Sequence, residues 1–173
     1  CVFSGRVGNY RESDWPDSPD WYGRCKAMGE PQGESVLVLR TSFVGLELDR
    51  QKHLVEWFLA QKGSVSGYTN AIWNGLTAKE LARLVARLVN ANDPPRGLWH
   101  IASPKSVSKY ELLLMLNQRL GRRDCELVPD DSFVCDRSLD GALLRSVFPY
   151  SVPEIETQLD ELAEEIQLSR QLA

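Results

Sequence analysis

Apolar positions recur along this chain with two different periods. Val36-Leu37-Val38-Leu39 is a short unbroken apolar run, which predicts an inner strand of a parallel sheet over residues 35–39, buried on both faces. Residues 63–68 and 97–101 predict two further strands. Residues 125–129 predict an edge strand, where Pro129 is tolerated. A helical period marks Leu54, Val55, Phe58 and Leu59 within 52–61. The same period marks Leu81, Leu84, Val85 and Leu88, running to about Asn90, then Leu112, Leu113 and Leu116, running to Leu120. The last helix, over 153–169, carries the stripe Ile155, Leu159, Leu162 and Ile166 with acidic residues opposite. Thr77 with Glu80, and Ser108 with Glu111, have the spacing of capping boxes, and Gly121 closes the second of these helices. A short helix is expected near 142–144, and Ser18 or Asp20 starts one that begins at Trp21 and runs to about Gly29. Residues 1–18, rich in turn-forming types, predict an irregular loop. Strands alternating with helices predict an α/β fold.

Composition narrows this picture. The 173 residues are 43% hydrophobic and 25% charged, ordinary for a globular domain. A net charge of −4 with no basic stripe argues against a nucleic-acid partner. No apolar run approaches the ~20 residues of a membrane span. Cys1, Cys25, Cys125 and Cys135 lack metal-ligand spacing, and His53 and His100 lie apart from them, so no metal site is expected. Reduced thiols and a cytoplasmic setting are the better reading. Cys25 is expected to be a packing residue, and His100 a hydrogen-bonded structural residue of its strand.

The chemistry that changes the picture lies in Tyr22-Gly23-Arg24-Cys25-Lys26. Tyr22 and Lys26 are four apart, one turn along the same helix face. A cation beside a phenol favours the phenolate, and a tyrosine tuned this way can exchange a proton with a sugar oxygen. The flanks are distinctive. The chain opens Cys1-Val2-Phe3-Ser4-Gly5, continues Tyr10-Arg11-Glu12, and follows Lys26 with Gly29-Glu30. In this order the segments resemble the extended short-chain dehydrogenase/reductase family, most closely its sugar-nucleotide branch, the dTDP-4-dehydrorhamnose reductases. Arg40-Thr41-Ser42-Phe43-Val44 resembles that branch's Arg-Thr-Ser-Trp-Val segment, with Phe43 in place of the usual Trp. Residues 70–77, with Asn74-Gly75, and Asp136-Arg137-Ser138-Leu139-Asp140 resemble later segments, the second without that branch's proline and at shorter spacing.

The resemblance implies the C-terminal part of a Rossmann-like, doubly wound parallel sheet with a small mixed α/β substrate-binding region. Residues 1–45 would complete the dinucleotide-binding domain, and 46–173 would form mainly the substrate-binding region. The family's glycine-rich pyrophosphate turn and its catalytic Ser or Thr have no counterpart here, so the chain is read as the C-terminal portion of a longer enzyme. The implied activity is reduction of the 4-keto group of a nucleotide-linked deoxysugar with NADPH or NADH. Tyr22 and Lys26 would be catalytic and touch the cofactor, together with Arg40, Thr41 and Ser42. Val2, Phe3, Phe43, Asn74 and Arg137 would line the substrate. Three positions have a plain alternative: strand-end capping for Thr41 and Ser42, a turn for Asn74, and a local ion pair for Arg137. A sugar-nucleotide epimerase or dehydratase, or a non-catalytic binding member of the fold, is the alternative at the level of function. The exposed sheet edge makes a homodimer a possible assembly.

Overall fold

Asp20 opens the first helix because its carboxylate accepts the Gly23 N–H at 2.7 Å, and α1 then spans Trp21–Met28. The structure is a computed structural model that describes residues 1–48 and 52–172. The chain continues through β1 (Leu37–Arg40), β2 (Phe43–Val44), α2 (Leu54–Ala60), β3 (Gly63–Tyr68), β4 (Ala71–Trp73) and β5 (Leu76–Thr77). Next come α3 (Ala78–Val89), β6 (Gly97–His100), β7 (Val107–Ser108) and α4 (Lys109–Arg119). The chain closes with β8 (Cys125–Asp130), β9 (Cys135–Asp136), α5 (Ala142–Val147) and α6 (Ile155–Leu172).

Parallel pairing dominates. β1 lies parallel to β6, β2 to β5, β3 to β8 and β4 to β9, and β7 is antiparallel to β4. Of three buried apolar clusters among the described residues, two are the larger. One gathers Phe58, Val65, Trp73 and Leu116 with the α6 stripe Ile155, Leu159, Leu162 and Ile166. The other packs Leu84 and Leu88 of α3 against Ile101 and Leu144.

Two expectations are corrected. β1 is half-buried at Leu37, Val38 and Leu39, not buried on both faces. Leu37 and Leu39 pack on the α3 core while Val38 turns to a groove beside α1, as a two-residue period requires. The Thr77 capping box is only half formed. Thr77 Oγ1 accepts the Glu80 N–H at 3.3 Å, but the Thr77 N–H donates to Gln158 Oε1 at 2.9 Å. Glu80 is drawn away by the Tyr150 hydroxyl at 2.6 Å and by Arg83. The Ser108–Glu111 box is complete in both directions, at 2.7 and 3.1 Å.

Residues 1–18 form the expected loop, organised by Tyr10. Its hydroxyl oxygen accepts the N–H groups of Gly5 and Arg6 at 3.1 Å and of Val7 at 3.3 Å. Its ring stacks on Phe3, with centroids 4.1 Å apart. The Tyr10 main chain bridges to residues 138–140, so the loop is laid against the strand end that follows β9. Tyr10→Phe removes the acceptor and keeps the stack. It is expected to destabilise the fold by about 1–3 kcal/mol, read as a lower urea midpoint at unchanged slope. An unchanged midpoint would show that the loop holds without that oxygen.

Candidate active site

Tyr22 and Lys26 share one face of α1, and the Lys26 ammonium lies 5.6 Å from the Tyr22 ring centroid. Tyr22 is 65% exposed and borders two adjoining grooves. A glycine at position 23 is what lets α1 sit this close. A Cβ there would collide with the Ser18 side chain and stand 2.5 Å from the Cys1 carbonyl. Cys25 is exposed on this helix, which corrects the expectation that it packs inside. It sits on the face of α1 that turns away from the buried Gly23.

The first groove, about 360 Å³, runs between Tyr22, Lys26 and the C-terminal end of β1, with Val38, Thr41 and Phe43 in its wall. A second, about 400 Å³, passes Tyr22, Ser42, Phe43 and Lys109. A third, about 430 Å³, is lined by Thr41, Ser42, Tyr68, Trp73, Asn74, Lys109, Phe133 and Arg137. Thr41 borders all three, so they form one branched cleft. It lies where the carboxyl ends of β1, β3, β4 and β9 converge, the usual ligand position in open α/β sheets.

The residues expected from sequence divide by what their polar groups already hold. Arg40, 9% exposed, donates to Glu30 through Nε at 2.7 Å and Nη2 at 2.8 Å. Its guanidinium covers Phe3 at 5.3 Å, so it braces the framework instead of presenting its charge to a cofactor. Phe3 is fully buried, which leaves only its main chain to offer a ligand, and Val2 is nearly so. The Asn74 amide donates to the Leu139 carbonyl at 2.8 Å and accepts the Leu139 N–H at 2.9 Å. Its side chain therefore clamps two chain segments at the cleft wall. Ser42 Oγ accepts the Trp73 indole N–H at 2.8 Å, and Thr41 Oγ1 donates to the Ser42 carbonyl at 3.3 Å. Phe43 is 60% exposed in the cleft wall. Arg137 forms no ion pair among the described residues, and its buried Nε has no hydrogen-bond partner.

His100 has the structural role expected of it. It is wholly buried, and its Nδ1–H donates to the Tyr10 carbonyl at 2.9 Å. That acceptor-only partner fixes the tautomer, which leaves Nε2 facing Arg40 Nη1 at 3.5 Å.

Lys109 was not legible as a site residue. It reads as the first residue after the cap Ser108, yet it enters the cleft with its ammonium 4.6 Å from the Trp73 ring centroid. Burial pushes its pKa down to about 8. One local signal was available: a lysine in the first turn of a helix opposes the helix dipole. Tyr68 and Phe133, 5.2 Å apart at the far wall, were also missed, since they meet only in the tertiary structure.

Among the described residues no group of three or more His, Cys, Asp or Glu could hold a metal ion, and no helix is long and apolar enough to cross a membrane.

Parallel strands, a helix ahead of β1 that bears the tyrosine–lysine pair and a cleft at the strand ends make this a Rossmann-like α/β fold. The solved structures it resembles carry sugar-nucleotide names. A dTDP-4-dehydrorhamnose reductase from Clostridium acetobutylicum aligns with a TM-score of 0.79 at 18% identity, over 96% of this chain and 63% of that one. The Bacillus anthracis reductase solved with NADP gives 0.78 at 19%, over 95% and 62%. The Bacillus anthracis dTDP-glucose 4,6-dehydratase solved with NAD gives 0.71 at 14%, over 96% and 58%. At these identities the likeness establishes the fold, and the chain spans under two thirds of each neighbour. No family model and no curated protein sequence matches the chain.

Two outcomes are expected. Burial holds the His100 imidazole below its ordinary value of 6.5. The unfolded chain therefore takes up the proton first, so the contribution to stability is full above that value and is lost as pH falls from it toward the folded one. Urea unfolding from about pH 8 to about pH 5 should show this loss, and His100→Gln should flatten the profile. Gly23→Ala forces α1 away from Ser18. It should lower stability by about 1–3 kcal/mol in the same assay.

Proposed function

We propose that the complete protein reduces the 4-keto group of a nucleotide-linked deoxysugar with NADPH or NADH. The observation that carries this reading is the exposed Tyr22–Lys26 pair, set one helical turn apart at a cleft formed by the carboxyl ends of parallel strands. A nicotinamide cofactor supplies the hydride when bound. Tyr22, Lys26 and Phe43 fit it, because they leave an open, partly apolar wall beside Val38.

Tyr22 gives its phenolic proton to the C4 oxygen as that oxygen gains charge, and Lys26 steadies the negative charge left on the phenol. Lys26 would also help to hold the nicotinamide cofactor from this face of α1. Thr41, Ser42 and Phe43 wall the reacting centre, and Arg137 faces a phosphate of the substrate. Arg40 supports the site through Glu30 and Phe3. Names of the solved neighbours, two reductases and a dehydratase, support a nucleotide-sugar substrate. A dehydratase or epimerase is the second reading, favoured by the dehydratase likeness and distinguished by NAD that stays bound through purification.

Tyr22→Phe is expected to lower turnover of a dTDP-4-keto-6-deoxyhexose with NADPH by about 10²–10⁴-fold with little change in KM, measured as loss of absorbance at the nicotinamide band. Turnover equal to wild type would remove Tyr22 from the chemistry.

A further inference from the structure

Among the described residues one acid, Glu30, lines the groove beside Tyr22 and Lys26. Glu30 stands four residues after Lys26, and the chain is still turning between them. The Gly29 N–H donates to the Cys25 carbonyl at 3.0 Å, and the Glu30 N–H to the Ala27 carbonyl at 3.2 Å. A lysine and an acid four apart on such a turn are ordinarily partners. Here they form no ion pair among the described residues. Asp20 sits at the far end of α1, where its carboxylate accepts the Gly23 N–H.

Both oxygens of Glu30 are taken by Arg40 instead, at 2.7 Å from Nε and 2.8 Å from Nη2. The arginine side chain is 8% exposed and the glutamate 21%. A two-pronged, largely buried bond to a guanidinium outweighs an exposed bond to a lysine one turn away. Arg40 closes β1, with the Phe3 ring at 5.3 Å and His100 Nε2 at 3.5 Å beside it. The acid therefore has its partner before any ligand arrives.

The consequence falls on Lys26. An ammonium paired with a carboxylate has its charge answered on the spot, and at least one of its three donors is spent. The field it exerts on the Tyr22 ring, 5.6 Å away, would fall accordingly. As a brace alone, the Glu30–Arg40 pair could give way to apolar side chains of similar volume. A carboxylate at position 30 is harmless to Lys26 only while Arg40 holds it.

We propose that Arg40 is a positioning residue for the reaction: it holds both oxygens of Glu30 and so keeps that carboxylate off Lys26, whose charge stays free for Tyr22 and the cofactor. The use made of that charge rests on the reductase reading above.

The test compares Arg40→Met, Glu30→Gln and the double variant of the complete protein. In a crystal structure of Arg40→Met, Glu30 should lie within ion-pair distance of Lys26, about 4 Å or less. Glu30 held elsewhere or turned to solvent would overturn the proposal, whatever the substrate is. The second readout is turnover of a dTDP-4-keto-6-deoxyhexose with NADPH against pH. Its alkaline limb, where the phenol no longer has a proton to give, should move in Arg40→Met to a proton concentration about threefold to tenfold lower. Glu30→Gln breaks the same pair without freeing an acid, so its limb should not move that way, and neither should that of the double variant. A pure brace predicts that the two single variants act alike, and an equal upward move in both would overturn the proposal. The double variant leaves no buried charge behind and should fold even where Arg40→Met does not; an upward move of its limb would by itself overturn the proposal. If Arg40→Met shows the Glu30–Lys26 pair while the wild type turns over no nucleotide sugar, the shielding of Lys26 stands and the reductase reading falls.

Discussion

Arg40 carries a full charge at a position almost closed to water, and the geometry around Tyr22 follows from how that charge is answered. Glu30, just past the end of α1, meets it with two short hydrogen bonds. Removing one partner of such a buried pair costs about 3–5 kcal/mol, because the other charge is left uncompensated. The pair therefore pins the exit of α1 to the end of β1. The guanidinium also covers the ring of Phe3, Phe3 stacks on Tyr10, and the Tyr10 carbonyl holds the ring of His100. At the other end of α1, Gly23 lies flush against Ser18 and the Cys1 carbonyl. The helix bearing Tyr22 and Lys26 is thus held at both ends before any ligand arrives.

The polar groups around the cleft sort into two kinds. Arg40, Asn74, Ser42 and His100 have their hydrogen bonds made within the chain, and these bonds set the walls. Tyr22, Lys26, Lys109 and Arg137 border the same space with polar groups that make no ion pair among the described residues. A buried polar group normally finds a partner, and of these four only Arg137 has a buried atom, Nε, without one. Tyr22 and Lys26 border one branch, Lys109 and Arg137 another, and Tyr22 and Lys109 both reach the groove between them.

Much of this protein was legible from sequence because the relevant physics is local. Helix faces repeat within four residues, and a cap or a capping box closes within three. That is why α1, α4, the α6 stripe and the complete Ser108–Glu111 box stand where their residues place them. The ordered motifs around Tyr22 likewise pointed to the Rossmann-like class, which the solved neighbours share. What sequence could not decide was which polar side chains are already engaged. Asn74 meets Leu139 from 65 residues away, and His100 meets Tyr10 from 90. Glu80 leaves its expected cap for a tyrosine 70 residues on. Lys109 looks like an ordinary helix start until Trp73 and Arg137 are folded beside it. The residue order set the local elements, since their bonds span a few positions; the tertiary structure alone decided which charges are neutralised, since their partners come from distant parts of the chain.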